Sequence, residues 1–427
     1  MSKICLCGNW HQFLVLSACF ADLGHTVLSV PVDESDIEKL ENGILPIFEP
    51  RLEDLTRKNI SDGRLKFTGS YKLALESADF VFISVDTPVL DDDSSDMSIV
   101  FEIIESVITH ISGPLILCLT SQVPIGTSRK LSQYFNEKCA YDIQIAYIPE
   151  FLRLGSAIDT FNNADRIIIG TESTELAEKI EHIYVPLHQP ILRTDLETAE
   201  MIKHASNAFL ANSISFINEI ANLCEVTGAD VKKVAAGMKL DSRIGENAYL
   251  GAGLGFSGGT LGRDLHNLQR VGGRTQVKTP LMDAIFEVNR NRIHLVIRRL
   301  KGVFPCLKTL KVVVWGLTYK GNTDTLRRSN SITIIKMLSD EGCDIRIYDP
   351  IIKINELDQK IPGHPFEDPV ASCNGSDALV LMTPWNGIAD IDFQQITCAM
   401  NQAVILDTCN YFDRTLMESF GFTYLGV

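Results

Sequence analysis

Short runs of consecutive apolar residues alternate with helical patterns through the first part of this 427-residue chain. The runs predict buried β-strands, because strands covered on both faces of a parallel sheet are apolar throughout. The predicted strands are Ile4–Cys7, Thr26–Val30, Phe80–Val85, Leu115–Thr120, Ile143–Ile148 and Arg166–Gly170. Helical patterns between them, at Phe13–Leu23 and Glu34–Asn42, indicate a doubly wound, parallel α/β sheet.

From about Asp195 the pattern changes to long helices, predicted over Glu197–Thr227 and Pro280–Leu300. Strand and helix alternate again from Leu310, and the predicted strands there are Lys311–Trp315, Asp344–Tyr348, Ala378–Met382 and Ala403–Leu406. The length also requires more than one core. We therefore expect two Rossmann-like domains at residues 1–195 and 306–427, joined by a long-helix central domain at residues 196–305.

Composition excludes several classes of function. The net charge of −15, with no basic stripe to offset it, argues against a protein that binds nucleic acid or an anionic membrane. Eleven scattered cysteines without CxxC or Cys/His spacing predict reduced thiols in a cytoplasmic protein and no metal site. No window reaches the roughly 18 apolar residues of a membrane span, and the first residues do not resemble a signal peptide.

The densest chemical signal is the segment Gly251–Asp264, which holds six glycines within residues 251–262 and ends on a cation and a carboxylate. Glycine permits positive φ and close approach of a ligand to the main chain. A flexible surface loop is the alternative interpretation, but such a loop would rarely carry Phe256 and Leu261. The segment therefore predicts a ligand-binding loop, which we call the Gly-rich loop.

The turn after the first predicted strand lacks most of a dinucleotide fingerprint. A GxGxxG turn would place glycines at positions 8, 10 and 13, but only Gly8 is present, beside Trp10 and Phe13. Pro31 stands where an acidic residue would bind the adenosine ribose. A bulky side chain at position 10 is expected to obstruct a pyrophosphate. A literal GxGxxG at residues 253–258 does not follow a first strand, so it is no fingerprint.

Ordered blocks along nearly the whole chain resemble the UDP-glucose/GDP-mannose dehydrogenase family. The blocks are Asn42–Pro50, Val85–Pro88, Pro149–Arg153, Ala199–Phe209, Ile217–Ala221, Asp241–Gly245, Gly251–Asp264, Trp315–Lys320 and Asn322–Arg327. The resemblance implies an N-terminal NAD domain, a helical dimerising middle and a C-terminal nucleotide-sugar domain. It also implies oxidation of a sugar-nucleotide C6 alcohol to a carboxylate with two NAD, through a cysteine-bound intermediate.

The resemblance implies catalytic roles for residues of three blocks. Lys203 and Asn207, four apart on one predicted helix face, would stabilise negative charge on the reacting oxygen. Glu150 would handle water, and Asp264 would act as a general acid or base. By spacing alone, the default interpretation of the polar patch around Lys203, with its neighbours Glu200 and His204, is a solvated helix face; the resemblance favours the catalytic role.

Binding roles are also implied by the resemblance. The implied substrate contacts are Phe151, Leu152, Arg153, Arg243, Tyr249, Gly253, Gly255 and Lys320. Among them, Arg243 would reach the sugar site of a neighbouring subunit, so a homodimer through the central helix is implied. The implied NAD contacts are Gly8, Val85, Thr87, Ser121, Arg263 and Arg327.

This chain departs from the family at the nucleophile, where Thr260 replaces the cysteine. Further departures are Gln122 for a threonine, Leu154 for a glutamate, Gly262 for a proline, and an altered turn at Thr408-Cys409-Asn410. A hydroxyl is a far weaker nucleophile than a thiol at neutral pH, which argues against complete oxidation to the uronate. Trp10, Phe13 and Pro31 predict weakened or lost NAD binding.

Three classes of function therefore stay open from the sequence. The first is an NAD-linked oxidoreductase on a UDP- or GDP-sugar that stops after one oxidation or works redox-neutrally. The second is a sugar-nucleotide-binding or regulatory homologue without turnover. The third is an enzyme of another class that uses the same cleft without NAD.

Overall fold

A computed structural model describes residues 1–88, 95–354 and 361–427. The chain divides into two compact units, Met1–Ser206 and Asn207–Val427. Each unit contains one sheet with helices around it, of eight and six described strands respectively. The predicted pair of doubly wound α/β sheets is confirmed.

The first unit orders its strands β3-β2-β1-β4-β5-β6-β7-β8. These are β1 (Lys3–Gly8), β2 (Thr26–Pro31), β3 (Leu65–Phe67), β4 (Phe80–Ser84), β5 (Leu115–Leu119), β6 (Ile143–Tyr147), β7 (Ile167–Thr171) and β8 (Ile191–Thr194). The helices are α1 (Trp10–Asp22), α2 (Ile37–Glu41), α3 (Leu52–Ser61), α4 (Tyr71–Leu75), α5 (Ser98–His110), α6 (Thr127–Lys138), α7 (Ala157–Asn162) and α8 (Thr174–Tyr184).

Alternate residues of the central strand β1 enter two different apolar cores. Ile4 and Leu6 belong to one cluster, whereas Cys5 and Cys7 belong to the other. Side chains of a strand point alternately to its two faces, so helices on both faces require an apolar residue at every position. This explains why the strands of this unit read as continuous apolar runs.

The second unit begins within the long helix α9 (Leu196–Thr227). Its other helices are α10 (Val231–Lys239), α11 (Thr260–Thr275), α12 (Pro280–Arg292), α13 (Leu295–Val303), α14 (Asn330–Asp340), α15 (Pro369–Cys373), α16 (Phe393–Ala399) and α17 (Arg414–Ser419). Its strands are β9 (Lys311–Trp315), β10 (Asp344–Tyr348), β11 (His364–Phe366), β12 (Ala378–Leu381), β13 (Val404–Asp407) and β14 (Thr423–Leu425). They run parallel in the order β11-β10-β9-β12-β13-β14, which reverses between β9 and β12.

Three expectations about the elements were wrong in detail. The single helix expected over Pro280–Leu300 is divided into α12 and α13, because helical periodicity does not register a short break. The pairing of β7 with β6 is antiparallel, although the sheet is otherwise parallel. The three- and four-residue edge strands β3, β8, β11 and β14 were not predicted, because their apolar patterns are too short.

Within residues 1–88, 95–354 and 361–427, no helix is both long and apolar enough to cross a membrane. In the same residues, no three His, Cys, Asp or Glu side chains are grouped as metal ligands. The division into three domains at residues 1–195, 196–305 and 306–427 stays a prediction.

Candidate functional site

The turn from β1 to α1 keeps the backbone of a glycine-rich turn although one expected glycine is a tryptophan. A Cβ atom at Gly8 would lie 1.9 Å from the carbonyl oxygen of Ser84, so only glycine fits there. Trp10 has φ +57°, in the left-handed region that bulky residues rarely adopt. Phe13 is 1% exposed and its ring packs 6.4 Å from that of Phe67, within the core. Position 10 therefore has a backbone conformation suited to glycine, although it carries an indole.

Predicted cofactor residues come together at the carboxyl ends of β4 and β5. The backbone N–H of Val85 donates to Ser121 Oγ at 2.7 Å, and Thr87 Oγ1 donates to the carbonyl of Gln122 at 2.9 Å. Asn9, in the turn after Gly8, accepts at Oδ1 from the N–H of Asp86 at 2.9 Å. This edge of the sheet is where doubly wound folds bind dinucleotides.

Glu49 links the same turn to the segment that follows Pro149–Arg153. His11 Nε2 lies 2.7 Å from Glu49 Oε2, and both side chains are buried. The carboxylate also accepts from the N–H groups of Gly155 and Ala157, at 2.7 and 2.8 Å. The sequence assigned Glu49 to a family block but predicted no contact for it.

Glu150 and Lys203 meet beside the ring of Phe151. Lys203 Nζ donates to the backbone carbonyl of Glu150 and lies 4.8 Å from the Phe151 ring centroid. Arg166 places its guanidinium carbon 4.3 Å from the same centroid and donates to Ser206 Oγ at 3.4 Å. Burial raises the pKa of the Glu150 carboxyl to about 7, although the Lys203 charge opposes this shift. A carboxyl with this pKa can exchange protons near neutral pH.

Glu200 and His204 have structural partners, so they do not belong to a solvated helix face. Glu200 is fully buried and accepts from the N–H of Gly126 at 2.5 Å and from Ser128 N and Oγ at 2.8 and 2.7 Å. It thereby caps the first turn of α6. His204 Nε2 lies 2.8 Å from the carbonyl oxygen of Val123. Both side chains fix the segment between β5 and α6 to α9.

Asn207 and Asp264 form a buried pair in the second unit. Asn207 Nδ2 donates to Asp264 Oδ2 at 2.5 Å, and the Asp264 side chain has no exposed surface. Thr260 is exposed at the first residue of α11, one helical turn before Asp264. The amino end of a helix favours developing negative charge, which suits a position next to a reacting group.

Side chains hold the Gly-rich loop in place. Asn218 Oδ1 accepts from the N–H of Gly253 at 2.9 Å, and Arg292 Nε donates to the carbonyl of Gly253 at 2.7 Å. Asn289 bonds both backbone groups of Phe256, at 2.8 and 3.0 Å. These contacts support a fixed binding loop over a flexible linker.

Two glycines of this loop have no substitute. Gly255 has φ +87°, and a Cβ there would lie 2.2 Å from Asn289 Oδ1. Gly258 has φ +78°, and a Cβ there would lie 3.0 Å from the ring of Tyr319. The N–H of Gly258 donates to the carbonyl of Arg328 at 3.2 Å. The loop therefore packs against the segment after β9, which carries the predicted contacts Lys320 and Arg327.

A cavity of about 160 Å³ lies along this loop. Its lining residues are Gly253, Leu254, Gly255, Ser257, Thr318, Tyr319, Ser329, Asn330, Ser331, Met382, Thr408 and Cys409. It lies beyond the carboxyl ends of β9, β12 and β13, where the strand order reverses, which is the usual ligand position in such sheets.

Cys409 does not replace the missing nucleophile in this cavity. Its thiol donates to the carbonyl of Met382 at 3.2 Å. Burial raises the pKa of the Cys409 thiol to about 12. Because the thiolate is the reactive form, this sulfur is a poor nucleophile at neutral pH.

Some predicted site residues lie at the surface of this single chain. Arg243 is bonded to Asp241 at 2.6 Å, with its side chain 87% exposed. Tyr249 and Arg153 are also exposed, whereas Leu152 packs against the core of the first unit. Arg263, by contrast, is buried in α11. The sequence predicted no role for Arg166, Asn289 or Arg292, because they lie outside the segments that resemble the family.

Comparison with known proteins identifies the family of this chain. Three parts of the UDP-glucose/GDP-mannose dehydrogenase family match in order: the NAD binding domain at residues 2–188, the central domain at 197–291 and the UDP binding domain at 313–414. The UDP-glucose 6-dehydrogenase TuaD of Bacillus subtilis is 38% identical over 99% of this chain and 92% of its own length. The UDP-glucose 6-dehydrogenase of Rickettsia bellii is 35% identical over 100% and 99%.

A solved structure is also similar to this chain over its full length. The UDP-glucose dehydrogenase of the hyperthermophilic archaeon Pyrobaculum islandicum superimposes with a TM-score of 0.91 at 30% identity, covering 100% of this chain and 97% of that one. These similarities span the full chain, and they confirm the resemblance read from the ordered sequence blocks. The chain belongs to the UDP-glucose/GDP-mannose dehydrogenase family.

Proposed function

We propose that this protein is an NAD-dependent dehydrogenase of a UDP-sugar, with UDP-glucose as the first candidate, and that it stops at the aldehyde. The observation that carries the proposal is the arrangement on α9, where Lys203 contacts Glu150 and Asn207 contacts Asp264. The names of the relatives favour UDP-glucose over a GDP-sugar. Thr260 in place of the family's cysteine carries the second part of the proposal.

Alcohol oxidation removes a proton from the C6 hydroxyl and a hydride from C6. NAD, when bound, supplies the hydride acceptor. The Lys203 ammonium and the Asn207 amide would stabilise the alkoxide that forms as the proton leaves. Asp264 would hold the Asn207 amide in orientation through the 2.5 Å hydrogen bond. Glu150 would take the proton, directly or through a water, because its pKa of about 7 leaves much of it ionised at neutral pH.

Thr260 limits the second oxidation. The family's route needs sulfur to add to the aldehyde and form a group that can lose a second hydride. A threonine hydroxyl stays protonated at neutral pH and adds far more slowly. The balanced reaction is then one alcohol and one NAD⁺ giving one aldehyde, one NADH and one proton.

Gly8, Val85, Thr87 and Ser121 would hold NAD at the carboxyl edge of the first sheet. The left-handed backbone at Trp10 fits a dinucleotide turn, whereas its indole adds bulk where the fingerprint has only a hydrogen atom. We therefore propose weakened NAD binding. Contacts of Arg263 and Arg327 with NAD stay predictions. Contacts of the sugar nucleotide with Lys320, Arg153, Arg243 and Tyr249 stay predictions as well.

Stoichiometry tests the proposed reaction. Purified protein is incubated with UDP-glucose and excess NAD, and NADH is counted against the sugar product identified by mass spectrometry. One NADH per aldehyde supports the proposal, whereas two NADH per uronate contradict the role given to Thr260. The Thr260→Cys variant is the matched control and should move the ratio towards two.

The altered cofactor turn also favours a second candidate, a sugar-nucleotide-binding homologue without turnover. Thermal unfolding with NAD and with UDP separates the two, because a ligand that binds only the folded state raises stability. Stabilisation by both ligands supports the dehydrogenase. Stabilisation by UDP alone supports the binding homologue.

We also propose a homodimer built on α9. Phe209, Phe216 and Leu223 repeat every seven residues on this helix and are 68%, 44% and 56% exposed. Such a stripe is typical of a helix that packs against a second helix. Sedimentation velocity should show a dimer for the wild type and a monomer for Phe216→Glu.

We also propose a cytoplasmic location, because all eleven cysteines are free.

A further inference from the structure

Arg292 is a buried cation with neutral partners. It ends α12 and is 4% exposed. Its Nε donates to the carbonyl of Gly253 at 2.7 Å, and its Nη1 donates to Asn222 Oδ1 at 2.5 Å. Among the residues that the structure describes, no carboxylate oxygen lies within 4.0 Å of its guanidinium. The charge is therefore hydrogen-bonded but not neutralised.

The surroundings of Arg292 carry further positive charge. The nearby carboxylate of Glu225 is already shared by Arg298 and Arg299, at 3.5 and 3.0 Å. Burial, with repulsion from these two arginines, lowers the pKa of the Arg292 guanidinium to about 10. The group still stays protonated at neutral pH. Three arginines and one glutamate thus lie close together around Arg292.

The neighbouring Asn218 adds an unsatisfied donor. Its Oδ1 accepts from the N–H of Gly253, and its buried Nδ2 has no acceptor among residues 1–88, 95–354 and 361–427. The carbonyl groups on either side of Gly253 are engaged too, by Asn410 and Asn330, each at 3.3 Å. Side-chain donors therefore bond three successive carbonyl groups of the loop, at residues 252, 253 and 254, and Asn218 adds a further donor.

Keeping an unneutralised cation in a protein interior is unfavourable for the ligand-free fold. An anion placed against the loop would offset that penalty, because charges separated by low-dielectric protein interact strongly. The cavity of about 160 Å³ is lined by Gly253, the residue whose carbonyl Arg292 binds.

We propose that Arg292 is a positioning residue for the Gly-rich loop and that its buried charge is balanced by the diphosphate of the nucleotide sugar. The inference rests on the proposed function, which places a UDP-sugar at this loop. Arg292 does not line the cavity, so it would act on the diphosphate through its charge and through the loop backbone. The loop backbone transmits the effect, because Arg292 and Asn218 together fix both polar groups of Gly253.

The test is the Arg292→Gln variant, whose amide can still donate to Gly253 but carries no charge. Ligand-free protein is unfolded in urea, and UDP and uridine are titrated by calorimetry. We expect the variant to unfold at the same or a higher urea concentration, because an unneutralised charge has been removed. UDP should bind about tenfold more weakly, whereas uridine, which lacks the diphosphate, should bind equally well.

Two further variants sharpen the result. Arg298→Gln removes one charge from the same neighbourhood, but from a side chain that is 56% exposed. It should change UDP affinity by less than about twofold, because solvent screens that charge. Arg292→Lys keeps the charge and should recover most of the UDP affinity.

The outcomes are distinguishable. If Arg292→Gln is less stable or does not fold, or if it loses UDP and uridine affinity equally, Arg292 is only structural and the inference is wrong. If the wild type binds UDP and the variant binds it equally well, the inference alone fails. If the wild type binds neither UDP nor uridine, the proposed function fails together with it.

Discussion

The turn at residues 8–13 and the Gly-rich loop at residues 251–264 are both expected to bind nucleotide ligands, but they differ in how they keep their shape. In the turn, Trp10 adopts the left-handed backbone without being glycine. In the loop, Gly255 and Gly258 remain, and Asn218, Asn289 and Arg292 hold the main chain. The turn therefore carries bulky side chains at two positions where the fingerprint has glycine, whereas the loop keeps Gly255 and Gly258 and departs from the family at Thr260 and Gly262.

The two regions differ in backbone strain and in the side-chain hydrogen bonds that hold their main chains. A bulky residue in the left-handed region costs of order 1–3 kcal/mol, so the first turn holds a strained conformation. The second loop removes strain with glycine and gains hydrogen bonds from asparagines and an arginine. We propose that the protein binds the nucleotide sugar tightly and NAD weakly.

Lys203→Met is expected to have the largest effect, and it tests whether catalysis takes place on α9. Loss of the ammonium should lower kcat by about 100-fold, because it removes charge stabilisation at the reacting oxygen. UDP affinity should stay unchanged. Steady-state kinetics and calorimetry give the two values. Lys130→Met, on the exposed face of α6, should match the wild type; equal kcat in both variants would remove Lys203 from the mechanism.

Gly255→Ala tests the rigidity of the Gly-rich loop. A Cβ at this position collides with Asn289 in a backbone conformation that alanine disfavours, so the free energy of unfolding should fall by about 2–3 kcal/mol. UDP binding should weaken at the same time. Urea denaturation and calorimetry measure both. Gly251→Ala is the matched control, because a Cβ there meets no atom within 4 Å; similar losses in both variants would contradict the steric argument.

The raised pKa of Glu150 predicts that the stability of the protein depends on pH. Its pKa of about 7 in the folded chain exceeds its ordinary 4.5, so the folded chain binds more protons between these values. The contribution of Glu150 to the free energy of unfolding should therefore fall as pH rises from about 4.5 to about 7. We expect the wild type to lose about 1–2 kcal/mol more than Glu150→Gln across this range, by urea denaturation.

The control for this pH effect is Glu175→Gln, because Glu175 is an exposed carboxylate paired with Lys179. Between about pH 4.5 and about pH 7, its free energy of unfolding should change with pH as that of the wild type does. Equal pH dependence of the wild type and Glu150→Gln would show that Glu150 is ionised without penalty.

Trp10→Gly is expected to have the smallest effect and tests the cofactor turn. Glycine accepts φ +57° without strain, so the fold should gain about 1 kcal/mol, partly offset by the greater freedom of glycine in the unfolded chain. NAD should bind about tenfold more tightly if the indole obstructs the pyrophosphate. Thermal unfolding with and without NAD measures both. Unchanged NAD affinity would show that Trp10 is accommodated.

Local patterns predicted much of the architecture. Apolar runs placed the long strands, because a strand buried on both faces needs apolar residues at each position. Lys311–Trp315 and Asp344–Tyr348 were predicted with their observed bounds. Glycine density marked the loop at residues 251–264, and ordered motifs identified the family. Each of these signals depends on residues close together in the chain.

Contacts between distant residues were decided only by the tertiary structure. Glu200 looked like part of an exposed polar patch, yet its carboxylate caps α6 through Ser128, 72 residues away. Arg292 gave no signal, although it bonds Asn222 across 70 residues and fixes the Gly-rich loop. The sequence by itself determined which segments are apolar, helical or rich in glycine, because these properties are local. Only the folded chain decided which buried polar groups meet, because hydrogen-bond partners and removal from water depend on three-dimensional packing.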